Sequence, residues 1–401
     1  MSQTMPDGAG WLALARALDT DLRRWRRHLH RHPEVSFQEH ETTAYLAAEL
    51  EAMGGAPVRR TATGLWLDID GRRGDGPTVM VRADIDALPV LEETGLAFAS
   101  ENAGVMHACG HDAHTAIGLG VAHLLLGQRD AFAGRGRVLF QPAEEQPPGG
   151  APAMIEAGCL EGVRSAIALH VFARNTAGPF PVGKVFLASG PVLAASGKFA
   201  ITIRGKGGHG SAPHMSVDAI AVAGEVLSAL QHVRSRRLDP LAPAVLTVAT
   251  IHGGFVQNVI APTVEMTGTV RTFDPKVENQ LVEAMRQIVT HTTKAFGADA
   301  EVVYEHGYPV VINDGAVTDV MRAAVDEVFG PGAVAQTEPL MGSEDFAYYG
   351  QHVPSTFLGL GAASAELPAY PNHHPQFAAD EAALPLGAAV LTDCALRLLG
   401  R

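Results

Sequence analysis

Residues 78–84 read TVMVRAD, a short apolar run that closes on an acid. Two further runs share its form: RVLFQPAEE at 137–145 and SAIALH at 165–170. Each is brief, rich in apolar residues and followed by turn or helix signals, which is how strands buried on both faces of a parallel sheet look. The intervening AHTAIGLGVAHLLLG, residues 113–127, has the length and composition of a crossover helix. The pattern therefore predicts an α/β sheet, and in open α/β sheets ligands bind beyond the carboxyl ends of the strands. Those ends deliver Asp84 and Asp86, then Glu144 and Glu145, then His170.

A different rhythm starts near Phe199. FAITIRG alternates like a half-exposed strand, and SVDAIAVAGEVLSALQHV has helical periodicity. AVLTVATIHGG and TVEMTGTVRTF follow as strands, KVENQLVEAMRQIVTHTTKAF as a helix and AEVVYEHG as a strand. The order βαββαβ is that of a ferredoxin-like unit. After Gly307, α/β texture returns through GAVTDVMRAAVDEVFG and a terminal helix near PLGAAVLTDCALRLL. The expectation is a catalytic domain in two pieces, 1–194 and 307–401, interrupted by an inserted lid or dimerisation domain at 195–306.

With 401 residues, two domains are the default. A formal charge of −13 provides no basic face for nucleic acid or an anionic membrane. No stretch reads as a signal peptide or reaches membrane-spanning length, and the three cysteines are widely spaced, so a reducing cytoplasm is expected. Cys159 and Cys394 sit in apolar helical contexts and read as core.

Cys109 differs. The segment MHACGHDAH, Met106–His114, crowds a cysteine, three histidines and an aspartate between glycines. Cys109 could be a nucleophile with His111 as its base, or both could hold metal. The nucleophile reading needs an orienting third group and leaves the adjacent pair Glu144 and Glu145 without work. Two neighbouring carboxylates repel unless a cation or a proton offsets them. Metal answers both points, with one glutamate as ligand and the other as base. His28, His30 and His32 flank a helix end stopped by Pro33 and are read as structural, as are His232, His252 and His291.

MHACGHDAHTA, QPAEE, ALHV, GKGGHGSAPH, NVIAPTVEMTGTVRTFD, GSEDFAYY and NHHPQF occur in the order found in the amidohydrolase branch of the dinuclear metallopeptidases. That branch includes N-acyl-amino-acid amidohydrolases, hippurate hydrolase and plant indole-acetyl-amino-acid hydrolases. RRHLHRHPEVSFQEHET and VRADIDALPV resemble its amino-terminal blocks, so the resemblance spans nearly the whole chain.

The resemblance implies two divalent ions per chain (Zn, Mn, Ni or Co), with Cys109 bridging them. His111 and His170 would complete one site, Glu145 and His373 the other. His373 is preferred over His374 because the family's ligand stands two residues before the proline of HxPxF. Glu144 would be the general base and acid, and Asp86 would orient His111. His209 would stabilise the oxyanion from a dimer partner. Asn258 and Arg271, expected on adjacent strands, would hold the substrate's α-carboxylate; the competing assignment pairs Arg271 with Glu265. The implied function is hydrolysis of N-acyl amino acids to a carboxylic acid and an amino acid by a homodimer. A dipeptidase, an acyl-diaminopimelate deacylase and a metal-binding scaffold with decayed catalysis are the alternatives. Pro147 and Pro148, and the long stretch HVFARNTAGPFPVG, depart from the family pattern and bear on substrate range.

Overall fold

The computed structural model describes residues 6–335 and 338–400. They group into two compact units: 6–192 with 312–335, 338 and 345–400, and Leu193–Val311 with Pro339–Glu344. The short segment 339–344 joins the second unit because the Ala194 amide donates to the carbonyls of Leu340 and Gly342.

The first unit is a seven-stranded mixed sheet flanked by helices. Strand Thr78–Asp84 lies between Arg135–Gln141 and Val163–Phe172, parallel to both. Every residue of Thr78–Asp84 is buried, as its largely apolar run leads one to expect, and the buried Arg82 within it pairs with Asp84 and Asp345. Ser355–Gly361 extends the parallel set beside Val163–Phe172, whereas Leu65–Asp70 closes the other edge antiparallel to Arg135–Gln141. Val185–Phe186 and Val334–Ala335 complete the sheet. Helix His111–Gly127 is buried along nearly its whole length. Helices Gly315–Phe329 and Ala383–Leu398 pack on the same core, Ala383–Leu398 burying thirteen of its sixteen residues, Cys394 among them.

The second unit is a four-stranded antiparallel sheet covered by two helices. Its order is Ala244–Gly253, Thr263–Thr272, Ala195–Arg204, Asp299–His306. That is the ferredoxin-like order expected for βαββαβ. Helix Ala219–His232 is capped by Asp218, whose carboxylate accepts the amides of Ile220 and Ala221. Helix Pro275–Ala295 carries proline in its first turn and Asp274 as its cap. Both lay apolar stripes on one sheet face around Ile201, Ile203, Val264 and Met266. No helix among the described residues is long and apolar enough to cross a membrane.

Candidate metal centre

All five proposed ligands belong to the first unit, and the fold brings them together from four separate stretches of chain. Gly110, at φ 91°, ends the cysteine turn and starts helix His111–Gly127; a Cβ there would lie 2.5 Å from Val171 Cγ2. Only glycine meets both demands. The turn therefore presents Cys109 on one side and His111, the first helical residue, on the other. Strand Val163–Phe172 supplies His170. The chain leaves strand Arg135–Gln141 through a tight PAEE turn that supplies Glu144 and Glu145. It packs so closely that a Cβ on Gly150 would stand 1.9 Å from the Pro142 carbonyl oxygen.

Two sets of donor atoms share the Cys109 sulfur, each within 4.8 Å: Cys109 with His111 and His170, and Cys109 with Glu145 and His373. His170 Nε2 is 3.3 Å from Cys109 Sγ, and His373 Nε2 is 3.2 Å from a Glu145 carboxylate oxygen. That pair is close without hydrogen-bond alignment, and Glu145 Oε1 is a buried oxygen with no hydrogen-bond partner. His111 Nε2 is likewise buried and unpartnered, 3.9 Å from Glu144 Oε2 and 3.9 Å from Glu145 Oε1.

The imidazoles are held by their other nitrogens. His111 Nδ1 donates to the Asp86 carbonyl at 2.9 Å, with Asp86 Oδ1 at 3.2 Å, and His170 Nδ1 donates to the Val171 carbonyl at 2.9 Å. Both Nε2 atoms are thereby directed inward, the arrangement that orients metal-binding histidines. The other Asp86 oxygen accepts from Ser36 Oγ and the Glu145 amide, so one carboxylate fixes a histidine and a glutamate together. Asp86 is thus a positioning group.

His373 adopts φ 69°, and its amide donates to the Ala108 carbonyl at 2.8 Å. Asn372 Nδ2 donates to the carbonyls of Cys109 and Val171. His374 is occupied elsewhere: its Nδ1 accepts the Gln376 amide, and its ring stacks on Tyr370. Of the two adjacent histidines, His373 is the one aimed at Glu145.

Electrostatics favour a cation here. Burial opposes charge on His111, yet Asp84, Asp86 and Glu145 outweigh it and hold its pKa up at about 10. Burial, then Glu145, Glu144 and Asp84, push the Cys109 thiol well above its usual range. Burial and the neighbouring His114 hold His170 well below its own. The raised thiol disfavours the thiolate that a nucleophilic cysteine needs, which counts against that reading. A divalent cation reverses that balance by stabilising the thiolate directly.

His114 of the same motif is committed to structure. His114 Nδ1 donates to Asp84 at 2.6 Å, and its Nε2 accepts the Val171 amide at 2.8 Å, leaving no ring nitrogen for metal. Asp84 is also paired with Arg82, which reaches Asp345 of GSEDFAYY. Sequence reasoning attached no role to Asp345 or to Asn372, although both lie within quoted motifs.

His30 reveals a second omission. It sits between Asp112 at 2.9 Å and Glu92 at 3.2 Å, the acid cluster that the local sequence does not show. Burial opposes its charge, but Asp112 and Glu92 raise its pKa to about 9. A folded pKa above the unfolded value of 6.5 means that the stabilisation is complete below pH 6.5 and lost as pH rises through 9. His30→Gln is expected to cost on the order of 3 kcal/mol near pH 6, as breaking a buried pair does. The gap to the parent should narrow toward pH 10 in chemical denaturation, and a gap constant from pH 6 to pH 10 would refute this assignment.

In the second unit, His209 is exposed. Its Nδ1 accepts from the Ser211 amide at 3.1 Å, leaving Nε2–H as an outward donor. Residues 208–209 pair with 259–260, and the Gly210 amide donates to the Asn258 carbonyl, so His209 and Asn258 are neighbours. Asn258 lies in a turn before Val259–Ile260, not on a strand beside that of Arg271. Arg271 stands at the far end of Thr263–Thr272, about 26 Å from Thr263 at ~3.3 Å per residue. The expectation of adjacent strands is corrected accordingly, because the Gly-rich connection ends the edge strand at Gly253. Glu265 is six residues before Arg271 on the same strand, about 20 Å away, which rules out their pairing. Among the described residues no carboxylate pairs with the half-buried Arg271 guanidinium; it donates to the Val270 carbonyl and Thr269 Oγ1, and burial lowers its pKa.

A sequence profile of the peptidase family M20/M25/M40 matches residues 80–397. The chain belongs to this family. An N-acetyl-L-cysteine deacetylase of Bacillus subtilis is 42% identical over 93% of this chain and 87% of its own. Thermostable carboxypeptidase 1 of Saccharolobus solfataricus is 40% identical over 90% of this chain and 91% of its own. The crystal structure of a dinuclear metal binding peptidase from the M20 family, from Bacillus subtilis, superposes with a TM-score of 0.83 at 36% identity. It covers 96% of this chain and 99% of that one. The M20 chain described here thus has the family's mixed-sheet α/β fold, with the ferredoxin-like unit between its two catalytic segments.

Proposed function

We propose that this M20 chain is a metal-dependent amidohydrolase that cleaves N-acyl amino acids to a carboxylic acid and an amino acid. The observation that carries this reading is the pair of donor sets sharing Cys109, with Glu144 beside them. Cys109, His111 and His170 would hold one divalent ion, and Cys109, Glu145 and His373 the other. The donor set fits: a buried thiol, orphaned His111 and Glu145 atoms and an excess of carboxylate all call for positive charge. Thiolate and imidazole suit zinc, nickel, cobalt or manganese. Two such ions supply Lewis-acid polarisation of the scissile carbonyl and acidify water.

Glu144 takes a proton from the attacking water and delivers it to the leaving amine nitrogen. Glu145 cannot share that work while serving as a ligand. Asp86 holds His111 and the Glu145 amide, and the Nε2–H of His209 donates to the oxyanion. A scaffold with decayed catalysis would not need Glu144 alongside a complete ligand set.

Arg271, with Asn258, binds the α-carboxylate on the amine side of the amide. An N-acetyl-L-cysteine deacetylase and a carboxypeptidase both act on amides of that kind, and the uncompensated guanidinium suits it. Arg271→Ala is expected to lower kcat/KM for an N-acyl amino acid by roughly one to two orders of magnitude, following from a charge-assisted bond of about 1.5–3 kcal/mol. The rate on the corresponding carboxamide should scarcely change. A panel of N-acyl amino acids, dipeptides, acyl-diaminopimelate and carboxamides checks this, and equal turnover of acids and carboxamides would make the protein a general amidase.

The working form is a homodimer. Asn258 and His209 stand at one end of the four-stranded sheet and Arg271 at the other, so one site draws on both groups only if a second chain contributes. Strand Ala244–Gly253 lies at the sheet edge, with Ile251 exposed and Phe255 80% exposed just beyond it, a surface suited to a second copy. Mixing His209→Ala protomers with Glu144→Gln protomers should restore roughly a quarter of parental activity, from random pairing that leaves one intact site in half of the dimers. A fully active monomer by light scattering and kinetics would contradict this.

A further inference from the structure

We propose that Glu39 is a positioning residue for Glu144, acting through the backbone of Ala143. The proposal rests on the reading of Glu144 as the proton-transfer group. Glu39 is the residue immediately before helix His40–Ala52 and is wholly buried. Its side chain reaches across 104 residues of sequence, where Oε1 accepts the Ala143 amide at 2.7 Å.

Ala143 is where the PAEE turn changes direction. It has φ 53°, a left-handed conformation that residues with a Cβ adopt only when their surroundings impose it. Its carbonyl accepts the Gly150 amide at 3.1 Å, while the amide of Glu145 is held by Asp86 at 3.0 Å. Glu144 is therefore bracketed by two backbone amides, each bound to a buried carboxylate. Asp86 is shared with His111, whereas the Glu39 carboxylate binds the turn through the Ala143 amide. That hydrogen bond acts on the turn itself.

The role requires an acceptor rather than a charge. Burial pushes the Glu39 pKa up to about 7, so the neutral amide of glutamine is a close stand-in. Glu39→Gln keeps an oxygen of the same reach, and Glu39→Met keeps the volume but removes the acceptor. The variants also predict a suppressor. Glycine adopts positive φ without strain, so Ala143→Gly should relieve Glu39→Met if the defect lies in that turn.

The test compares the three variants with the parent as purified metal-loaded protein. Glu39→Met should lower kcat roughly 10- to 100-fold, the range for a displaced proton-transfer group, with KM within about threefold and bound metal unchanged. Glu39→Gln should keep at least about a third of kcat, and adding Ala143→Gly to Glu39→Met should recover several-fold. Hydrogen–deuterium exchange over residues 142–150 should accelerate more than tenfold in Glu39→Met and not in Glu39→Gln. Exchange reads the turn whether or not the protein hydrolyses acyl amino acids, so failure of the functional reading is separable. Equal loss in Glu39→Gln and Glu39→Met, or unchanged exchange in Glu39→Met, would overturn the proposal. If Glu39→Met does not fold, Glu39→Gln decides alone: more than tenfold loss of kcat or accelerated exchange refutes it.

Discussion

Glu144→Gln is expected to retain its metal and lose roughly two to four orders of magnitude in kcat, the range for removing a general base. The side chain is buried, with Oε2 3.9 Å from His111 Nε2, and glutamine preserves its shape while abolishing proton uptake. Glu145→Gln should behave differently. It weakens the donor set that Glu145 shares with Cys109 and His373, so metal should fall along with activity. Elemental analysis and kinetics on the two variants check the division of labour. Loss of metal in Glu144→Gln with none in Glu145→Gln would reverse the two roles.

Cys109→Ala should remove most of the bound metal and nearly all activity. Its sulfur is common to both donor sets, so one substitution strips a ligand from each. His170→Ala or His373→Ala removes a ligand from one set only and should leave roughly one ion per chain, since each set keeps its other donors. Metal content unchanged in Cys109→Ala would remove the bridging role. Hydrolysis that survives in Cys109→Ala with full metal would also dispose of the nucleophilic cysteine.

The parts legible in the sequence have a common physical basis. Thr78–Asp84 and its two parallel neighbours could be read because strands buried on both faces are dominated by apolar residues, and Asp84 and His170 stand at or near their ends. The ferredoxin-like unit could be read because its strands alternate and its helices carry one apolar stripe. Ser355–Gly361 lacks that signal: it is wholly buried, but Gly359 interrupts its apolar run and Gly361 ends it.

The candidate ligand histidines and Cys109 announce themselves through short motifs beside strand ends and a glycine turn. His30 does not, because its acids lie 82 and 62 residues away in Asp112 and Glu92. Glu39 was hidden for the same reason, since its partner is a backbone amide 104 residues distant. Asn258 was misplaced because strand propensity flanks it on both sides, while the chain turns at residues 254–258.

The most direct test is to measure metal content and hydrolysis of an N-acyl amino acid on the same preparation, before and after exhaustive chelation and after metal is restored. The account predicts up to two divalent ions per chain, activity abolished with their removal and regained when zinc, manganese, nickel or cobalt is added back. Full hydrolytic activity in metal-depleted protein would contradict it.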